Sequence, residues 1–543
     1  MTVEARADVA SRFLETARRR GDALALIPGH GSDVVSFRTL ERDVARLSAG
    51  FRRAGLKAGD RAALLVPPSR DFFACTFALF RIGAVPVLID PGIGFTNMGN
   101  CLDDADPAAF IGSPKAHVAR ALGRWARGAR LAVVADGKIP GLWNTRELRG
   151  LGARDGFVPA ALDPDAPAAI LFTSGSTGVP KGAVYTHGVF SAQVDMLREM
   201  FDIKEGEVSL PTFPLFALFD VVLGMTAVIP DMDFTRPGFV DPAKIIGPLQ
   251  KYRVQQLFGS PALLDRVGRY GERHGVALPG LKRVMSAGAP VPARTLARFS
   301  KMLEPGVEIF TPYGATEALP VALTGSAEIL GETAALTARG RGVCVGRPVS
   351  GMDVALIRVT DEPIPEWRDA LRVLPGEVGE IVVKGPVVTR EYFRRPEANA
   401  ASKISDGSAV RHRMGDLGYF DEKGRLWFCG RKAHRVKTNN TELYTIPVEG
   451  VFNSHPAVKR TALVGVDGKP VLCVELEPGT KISHEDLTQE LLSLGAKHDT
   501  TKEIKILLYH PSFPVDIRHN AKIFREKLAV WAKAELGGSC ARS

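Results

Sequence analysis

The segment at residues 170–182 constrains this chain most, because it reads ILFTSGSTGVPKG and places six Ser, Thr or Gly residues between an apolar run and a lysine. The apolar residues 168–172 predict a buried strand that ends where the small residues begin. After the lysine, residues 188–200 have the pattern of a helix. A strand, a Gly/Ser/Thr loop and a helix start bind phosphate, because free backbone N–H groups and hydroxyls point at the anion. Lys181 adds a charge that can reach a phosphate oxygen.

The predicted phosphate-binding residues are Thr173, Ser174, Gly175, Ser176, Thr177 and Gly178. The segment is not a Walker A loop, in which lysine stands between glycine and serine or threonine, because here Lys181 precedes Gly182. The alternative is a solvated Ser/Gly linker. Linkers rarely follow a buried strand or end in Pro-Lys-Gly, so phosphate binding is the better interpretation.

The size and composition of the chain indicate a globular protein of more than one domain. Its 543 residues exceed one ordinary core, and 45% are hydrophobic and 24% charged. The N-terminus has no apolar segment typical of a signal peptide. The most apolar long stretch, residues 213–230, contains Asp220 and is short for a membrane span, so it indicates an interior segment. We therefore expect a cytoplasmic protein without a membrane span.

Cysteine usage and charge exclude several classes of site. The six cysteines are scattered without a CxxC pair, which argues against zinc and implies no disulfide. The net charge of +10 suits an anionic ligand, but it is spread along the chain. The densest basic patch, residues 18–20, has no interleaved aromatic residues, so nucleic-acid binding is not expected.

Strand and helix patterns alternate along most of the chain and predict an α/β fold. Between about residues 38 and 115 the alternation implies a parallel sheet. Near residues 378–383 and 425–428 the pattern changes to shorter strands with glycine turns, as in a small β subdomain. Further on, residues 460–466 and 471–477 predict strands and residues 485–494 a helix.

A cluster of cations at residues 430–435 predicts the domain boundary. Arg431, Lys432, His434 and Arg435 do not fit a core, which leaves a hinge or a solvated face. The family resemblance described below favours a hinge, which implies a large domain at 1–430 and a small, mobile α+β lid domain at 431–543.

The Gly/Ser/Thr loop resembles the phosphate loop of the adenylate-forming superfamily, which includes acyl-CoA synthetases, luciferases and peptide-synthetase adenylation domains. These enzymes join a carboxylate to AMP and release pyrophosphate, so the resemblance implies ATP. Residues 286–290, Ser-Ala-Gly-Ala-Pro, resemble the adenine-contacting turn, which implies contacts from Gly288, Ala289 and Pro290. Small residues let a flat purine lie on the backbone, although an ordinary strand-end turn is the alternative.

A further motif, residues 313–317, reads Tyr-Gly-Ala-Thr-Glu and matches the superfamily's Tyr-Gly-x-Thr-Glu. The match implies that Tyr313 and Gly314 contact the nucleotide, with Tyr313 stacked on adenine. It also implies that Thr316 lies at the α-phosphate and that Glu317, with Thr316 beside it, holds Mg²⁺. One glutamate is sufficient, because magnesium prefers one or two carboxylates plus phosphate oxygens.

Two motifs resemble those that hold the ribose. Residues 415–418, Gly-Asp-Leu-Gly, resemble the motif whose aspartate, here Asp416, accepts hydrogen bonds from both ribose hydroxyls. Taken alone, a turn-capping aspartate is an equal alternative. Arg431 resembles the arginine that contacts ribose or phosphate.

Residues 514–525 resemble the C-terminal loop of the superfamily, which carries the adenylation lysine, here Lys522. This lysine would bridge the attacking carboxylate and the α-phosphate as charge develops. Together the motifs imply catalysis by Lys522, Lys181 and Glu317. The carboxylate attacks the α-phosphorus and pyrophosphate leaves, while Mg²⁺ and the two lysines neutralise charge.

Several positions depart from the superfamily members that form thioesters. The usual acidic hinge residue is Ala433, and residues 437–442 lack the glycine that admits the pantetheine arm. The acceptor-gating segment carries Ala217 where histidine is common. Asn520 and Ala521 precede the lysine in place of Ser-Gly. Together these changes question CoA as the acceptor.

The same departures resemble the β-lactone synthetases of bacterial long-chain olefin biosynthesis. The matching segments are residues 210–220, 229–233, 258–263, 426–432 and 516–522. That family closes a 2-alkyl-3-hydroxy acid to a β-lactone, so the substrate's own 3-hydroxyl replaces CoA as the acceptor. The resemblance implies a hydrophobic 3-hydroxy acid substrate. The apolar residues 210–230 are then a candidate wall for its alkyl chain, with plain core as the alternative.

The resemblance also implies a reductase upstream and a β-lactone decarboxylase downstream, in one assembly or in sequence. His434 and His519 are the candidates for the base that accepts the proton of the 3-hydroxyl. The competing functions are a medium- or long-chain fatty acyl-CoA or acyl-carrier-protein ligase, and a nucleotide-binding partner protein without turnover. The presence of Lys181, Asp416 and Lys522 argues against the latter.

Overall fold

Two large sheets, one mixed and one mainly parallel, form the frame of the molecule, and a smaller sheet follows near the C-terminus. The computed structural model describes residues 8–29, 34–153, 162–173, 180–438, 441–515 and 523–540.

The strands have the following bounds: β1 (Leu24–Pro28), β2 (Val35–Ser36), β3 (Arg61–Leu65), β4 (Val85–Ile89), β5 (Ala109–Gly112), β6 (Leu131–Val134), β7 (Trp143–Asn144), β8 (Pro167–Thr173), β9 (Lys181–Thr186), β10 (Val208–Pro211), β11 (Thr226–Ile229), β12 (Gln256–Phe258), β13 (Arg283–Met285), β14 (Glu308–Ala315), β15 (Ala318–Gly325), β16 (Val343–Pro348), β17 (Asp353–Ile357), β18 (Gly379–Lys384), β19 (Lys403–Asp406), β20 (Ala409–Phe420), β21 (Leu426–Arg431), β22 (Val436–Lys437), β23 (Glu442–Leu443), β24 (Val458–Val466), β25 (Lys469–Leu476) and β26 (Ile506–Tyr509).

The α-helices have the following bounds: α1 (Val9–Arg20), α2 (Phe37–Arg53), α3 (Arg70–Arg81), α4 (Phe95–Ala105), α5 (Pro114–Gly123), α6 (Thr145–Gly152), α7 (His187–Phe201), α8 (Pro214–Val222), α9 (Ala243–Lys251), α10 (Pro261–His274), α11 (Ala293–Ser300), α12 (Ser326–Glu328), α13 (Ala334–Thr337), α14 (Pro396–Ser402), α15 (Thr445–Phe452), α16 (His484–Gly495) and α17 (Arg525–Cys540).

The first sheet has the order β2-β1-β11-β10-β12-β13-β14-β15-β16-β21-β20-β18-β17, and β19 pairs with β20. It is parallel from β1 to β14 and antiparallel beyond β14. The second sheet has the order β7-β6-β5-β3-β4-β8-β9 and is parallel except for β9. The predicted α/β class, with parallel sheets and an antiparallel subdomain, is confirmed.

Helices cover the parallel strands, which explains why those strands read as continuous apolar runs. Every residue of β4 is buried, and all but the two terminal residues of α3 are buried with it. Phe13 of α1 stacks on Phe77 of α3 with ring centroids 4.2 Å apart. Aromatic stacking of this kind adds to the stabilisation from burial alone.

The predicted buried strand and the predicted helix at 188–200 correspond to β8 and α7, but the sequence did not predict the strand β9 between the phosphate loop and that helix. Residues 181–186 form β9, which pairs antiparallel with β8, so the loop connects a hairpin. The four central residues of β9 are all buried, as in a strand that is covered on both faces. The helix α7 starts only at His187, after Thr186, whose side chain accepts a hydrogen bond from Val189 N.

A small α+β domain ends the chain. Its sheet has the order β24-β25-β26, and the predicted strands at 460–466 and 471–477 and helix at 485–494 correspond to β24, β25 and α16. Arg294 of α11 joins it to the large domain through an ion pair with Glu477 at 2.7 Å. The boundary at 430/431 and the mobility of this domain stay predictions. Within the described ranges, no helix is long and apolar enough to cross a membrane.

Candidate active site

The predicted adenine turn and the Tyr-Gly-Ala-Thr-Glu motif lie at the carboxyl ends of the parallel strands β13 and β14, where open α/β sheets bind ligands. β13 ends at Met285, directly before the predicted adenine turn at 286–290. β14 runs through Tyr313, and the hairpin that joins it to β15 carries Thr316 and Glu317. Gly314 is required in this hairpin, because a Cβ there would lie 2.5 Å from the Ala318 carbonyl oxygen.

Three of the predicted residues form a contiguous polar group, Tyr313, Asp416 and Arg431. The Tyr313 hydroxyl donates to Asp416 Oδ2 at 2.7 Å. Arg431 lies opposite Asp416 on the paired strands β20 and β21, and its Nη1 is 3.1 Å from Asp416 Oδ1. The Arg431 side chain is 40% exposed and that of Asp416 only 5%, so the carboxylate is buried and the guanidinium faces the open side.

Burial and charge act in opposite directions on this group. Burial raises the pKa of Asp416, while Arg431 and the Tyr313 hydroxyl lower it. The Asp416 charge raises the pKa of Arg431 in turn. Burial is also the main cause that raises the pKa of the Tyr313 phenol, so that its proton remains available to Asp416. Such an arrangement presents carboxylate oxygens to a pair of hydroxyl donors.

Glu317 is held by Tyr392, which the sequence did not single out. The Tyr392 hydroxyl donates to Glu317 Oε1 at 2.6 Å. The Glu317 carbonyl accepts from Thr389 N at 2.9 Å, which ties the hairpin to the loop before Tyr392. Because the carboxylate is oriented in this way, Glu317 fits a single protein ligand to Mg²⁺. Among the residues with described positions, no group of three or more His, Cys, Asp or Glu could hold a metal ion, so phosphate oxygens would complete the shell.

Two lysines lie on the ring of Tyr392. Lys181 Nζ is 5.4 Å from the ring centroid and Lys403 Nζ is 5.3 Å from it. Lys403 also donates to the Thr389 carbonyl at 2.6 Å, and burial lowers the pKa of Lys403 to about 7. His412 is buried nearby, and its burial lowers its pKa well below the usual range. Lys181 and Glu317 therefore both contact Tyr392, Lys181 at its ring and Glu317 at its hydroxyl.

Part of the predicted site lies outside the described residues. This applies to Ser174, Gly175, Ser176, Thr177 and Gly178 of the phosphate loop and to Lys522 and His519 of the C-terminal loop. The two ends of the phosphate loop are described, and Thr173 pairs directly with Lys181.

The predicted adenine turn follows the strand end closely. Gly288 has a φ of +97°, a conformation that glycine adopts without strain. The buried Ser286 hydroxyl has no hydrogen-bond partner within the described part of the chain. Ala289 and Pro290 continue the turn without a side chain that would cover a flat ligand.

An apolar cavity of about 50 Å³ adjoins this nucleotide end. It lies between α7, α8 and the first sheet, and Ala287 of the adenine turn is among its lining residues. Phe216, Phe219 and Leu223 line it from the segment that the sequence marked as a candidate alkyl wall. An apolar compartment therefore lies next to the predicted site of adenylation.

Sequence reasoning missed Tyr185, Tyr392, Lys403 and His412. The Tyr185 hydroxyl donates to the Thr316 carbonyl at 2.5 Å and so holds the hairpin between β14 and β15 in place. None of the four belongs to a motif with an obvious spacing. The sequence Glu-Tyr-Phe at residues 391–393 shows no pattern of polar residues that would distinguish a functional tyrosine from one buried in the core.

The AMP-binding enzyme family matches residues 13–393 of the chain. The protein belongs to this family. This AMP-binding enzyme is 49% identical to the olefin β-lactone synthetase of Stenotrophomonas maltophilia, over 97% of this chain and 98% of that protein. It is 48% identical to the olefin β-lactone synthetase of Xanthomonas campestris pv. campestris, over 97% of each.

The AMP-binding enzyme also resembles a solved structure, the amide bond synthetase of Marinactinospora thermotolerans. The TM-score is 0.80 at 23% identity, covering 96% of this chain and 99% of that chain. At this identity the likeness concerns the fold alone. It agrees with the arrangement of a large α/β domain followed by a small C-terminal domain.

Proposed function

We propose that this enzyme is an ATP-dependent β-lactone synthetase that converts a 2-alkyl-3-hydroxy long-chain acid to a β-lactone, with release of AMP and pyrophosphate. The observation that carries the proposal is the close, nearly full-length similarity to two olefin β-lactone synthetases. The apolar cavity beside the nucleotide end supports it, because a long-chain acid needs an apolar compartment next to the reacting carboxylate.

The first step is adenylation. Tyr313 holds the adenine and Asp416 the ribose, with Arg431 keeping the aspartate charged. The substrate carboxylate then attacks the α-phosphorus of ATP, and the bond to pyrophosphate breaks. Lys181 and Lys522 offset the charge that develops, and Glu317 with Thr316 holds Mg²⁺, which neutralises phosphate charge when bound.

The second step needs no external acceptor. The 3-hydroxyl attacks the acyl carbonyl, its proton passes to a base, and AMP leaves with one oxygen of the original carboxylate. The four-membered ring is strained, so the mixed anhydride must supply the driving force and the site must hold the chain in a near-attack geometry. His434, in the turn that follows Arg431, and His519 are the proposed bases.

The neighbours in the reaction sequence follow from the chemistry of substrate and product. A reductase would supply the 3-hydroxy acid, and a decarboxylase would consume the β-lactone. We propose both as functional partners.

The proposal is tested by AMP and pyrophosphate release from Mg-ATP and a 2-alkyl-3-hydroxy acid, with and without CoA. We expect stoichiometric AMP release that CoA does not change. The matched control substrate is the 3-deoxy acid, which should support exchange of labelled pyrophosphate into ATP but not steady AMP release, because it has no internal nucleophile. AMP release that requires CoA would contradict the proposal and indicate an acyl-CoA ligase.

A further inference from the structure

The apolar cavity contains two buried polar side chains with unused hydrogen-bonding capacity. Asp220 is 3% exposed and Gln193 is 5% exposed, and both line the cavity. Neither Asp220 Oδ2 nor Gln193 Oε1 has a hydrogen-bond partner among the residues whose structure is described. Buried polar atoms are normally paired, so each of these atoms requires an explanation.

The two side chains lie at different depths. Gln193 Nε2 donates to the Leu319 carbonyl at 2.8 Å, next to the hairpin that carries Thr316, so Gln193 is at the nucleotide end. Asp220 lies with Ser209 and Gln256, which pair with each other in the sheet. Ser209 precedes the last residue of β10 by two positions, and Gln256 precedes the last residue of β12 by two positions. At a rise of about 3.3 Å per residue they lie roughly 7 Å deeper in the cavity.

A chain of polar contacts fixes the inner end. Arg283 forms a buried ion pair with Glu207, and its Nε donates to Gln256 Oε1 at 2.7 Å. The Gln256 amide is thereby oriented with Nε2 towards Asp220 Oδ1, at 3.5 Å. Glu207 already neutralises the guanidinium, so Asp220 has no cation of its own.

The environment of Asp220 favours its neutral form. Burial raises the pKa of Asp220 to about 8, against smaller opposing effects of Ser209 and Arg283. A protonated carboxyl can both donate and accept, as a hydroxyl group can. A hydroxyl therefore satisfies Asp220, whereas a methyl group over Oδ2 would leave a buried polar atom unpaired.

We propose that Asp220 is a specificity-determining residue that closes the acyl cavity with a hydrogen-bonding end, which accepts a hydroxyl group and stops an alkyl chain. The inference rests on the proposed function, because it takes this cavity as the site of the acyl chain. Sites built to bind a hydroxyl reject the analogue that lacks it far more strongly than apolar sites reject an added methylene.

The test is equilibrium binding of two ligand series to the full chain in the presence of AMP. One series consists of linear carboxylic acids of increasing length, and the other of the same acids with a terminal hydroxyl. For the wild type we expect the affinity of methyl-ended acids to rise with length and then to stop rising when the chain reaches Asp220. At that length the hydroxyl-ended acid should bind at least roughly tenfold more tightly.

Two variants separate the hydrogen bond from the shape of the cavity. In Asp220→Leu the methyl-ended acid that reaches residue 220 should bind more tightly than it binds to the wild type, by roughly fourfold for each methylene that gains an apolar contact, and the preference for the hydroxyl should disappear. Asp220→Asn has similar size and retains hydrogen bonding, so it should keep the wild-type preference. Binding of AMP alone reports that each variant is folded.

Identical length profiles in the wild type and Asp220→Leu would overturn the inference, and so would a wild type that does not distinguish the two series. Failure of every acid to bind would also overturn it, because the cavity would then not be the acyl site. Pyrophosphate release with a 2-alkyl-3-hydroxy acid tests the proposed function separately. If the linear acids bind with the expected profiles and the 2-alkyl-3-hydroxy acid causes no release, the proposed function is contradicted and the role of Asp220 stays intact.

Discussion

Two buried aspartates, Asp416 at the nucleotide end and Asp220 in the acyl cavity, are 4% and 3% exposed and differ in their partners. Asp416 has Arg431 at 3.1 Å and the Tyr313 hydroxyl at 2.7 Å. Asp220 has the Gln256 amide at 3.5 Å and the Ser209 hydroxyl beside it. Burial raises the pKa of both carboxyls; Arg431 opposes this effect from 3.1 Å at Asp416, whereas Arg283 reaches Asp220 only through Gln256.

The difference shows how one residue type serves two chemical purposes. A buried carboxylate beside a guanidinium can remain charged and accept from the two hydroxyls of a ribose. A buried carboxyl without a cation is neutral over most of the physiological range and acts as a polar wall. The nucleotide end is therefore expected to depend on charge, and the acyl end on hydrogen bonding without charge.

The largest effect is expected from Asp416→Ala. The change removes the acceptor of two ribose hydroxyls and the counter-charge of the part-exposed Arg431, and hydrogen bonds to a charged group contribute about 1.5–3 kcal/mol each. We expect kcat/KM for ATP to fall by roughly a hundredfold or more, measured by pyrophosphate release. Asp499→Ala removes an exposed acid of the small domain and serves as the control. An unchanged kcat/KM in Asp416→Ala would contradict the assignment of Asp416 to the ribose.

The second prediction concerns stability and pH. The pKa of Asp220 is about 8 in the folded chain against an ordinary value of 3.8 for an aspartate in water, so the folded chain holds a proton that the unfolded chain has lost. This contribution favours folding at low pH and is lost as the pH rises towards 8. Asp220→Asn does not titrate, so its stability relative to the wild type should increase between about pH 4 and pH 8, by up to a few kcal/mol.

Urea unfolding midpoints of the wild type and Asp220→Asn, compared at several values across that range, test this prediction. If the difference between the two unfolding midpoints stays constant with pH, Asp220 is charged in the folded chain, as Asp416 is expected to be. The contrast between the two aspartates would then be lost.

A smaller effect is expected from Tyr313→Phe. The variant retains the ring and loses only the hydroxyl that donates to Asp416 at 2.7 Å. Hydrogen bonds to charged groups contribute about 1.5–3 kcal/mol, so KM for ATP should rise by roughly tenfold. Tyr313→Ala, which also loses the ring, should be worse. Equal effects of the two substitutions would place the whole contribution of Tyr313 in its hydrogen bond.

The smallest effect is expected from Tyr392→Phe. Glu317 loses the donor at 2.6 Å that orients its carboxylate but keeps its charge. We expect the Mg²⁺ concentration for half-maximal activity to rise by roughly threefold, since a residue that orients a metal ligand tunes its affinity without replacing it. Tyr270→Phe, on the distant helix α10, is the control. An unchanged Mg²⁺ requirement in Tyr392→Phe would mean that Tyr392 does not influence the metal site.

The sequence predicted the parts of the molecule that follow from local periodicity. The alternation of strands and helices predicted parallel sheets, and β8, α7, β24 and α16 lie within a few residues of the expected positions. The motif residues Tyr313, Asp416 and Arg431 were predicted individually, and the structure brings them into contact. The strand β9 was missed, because residues 181–186 form a short segment that was interpreted as the connection between the phosphate loop and the next helix.

The role of Asp220 could not be predicted, because its environment is built from distant parts of the chain. The only local signal was one acid within the apolar stretch 213–230. Its neighbours Ser209 and Gln256 lie on separate strands, and Arg283 reaches it only through Gln256. Non-local contacts of this kind are set by tertiary packing and leave no periodic pattern in the sequence.

The most direct test of the account is the isotopic mass of both products from a 2-alkyl-3-hydroxy acid labelled with ¹⁸O at both carboxyl oxygens. We predict a β-lactone that carries one ¹⁸O and AMP that carries the other, formed without CoA, because the 3-hydroxyl attacks the activated carboxyl. Unlabelled AMP, with both labels retained in the lactone, would mean that the hydroxyl is activated instead. A thioester formed only with CoA would contradict lactone closure altogether.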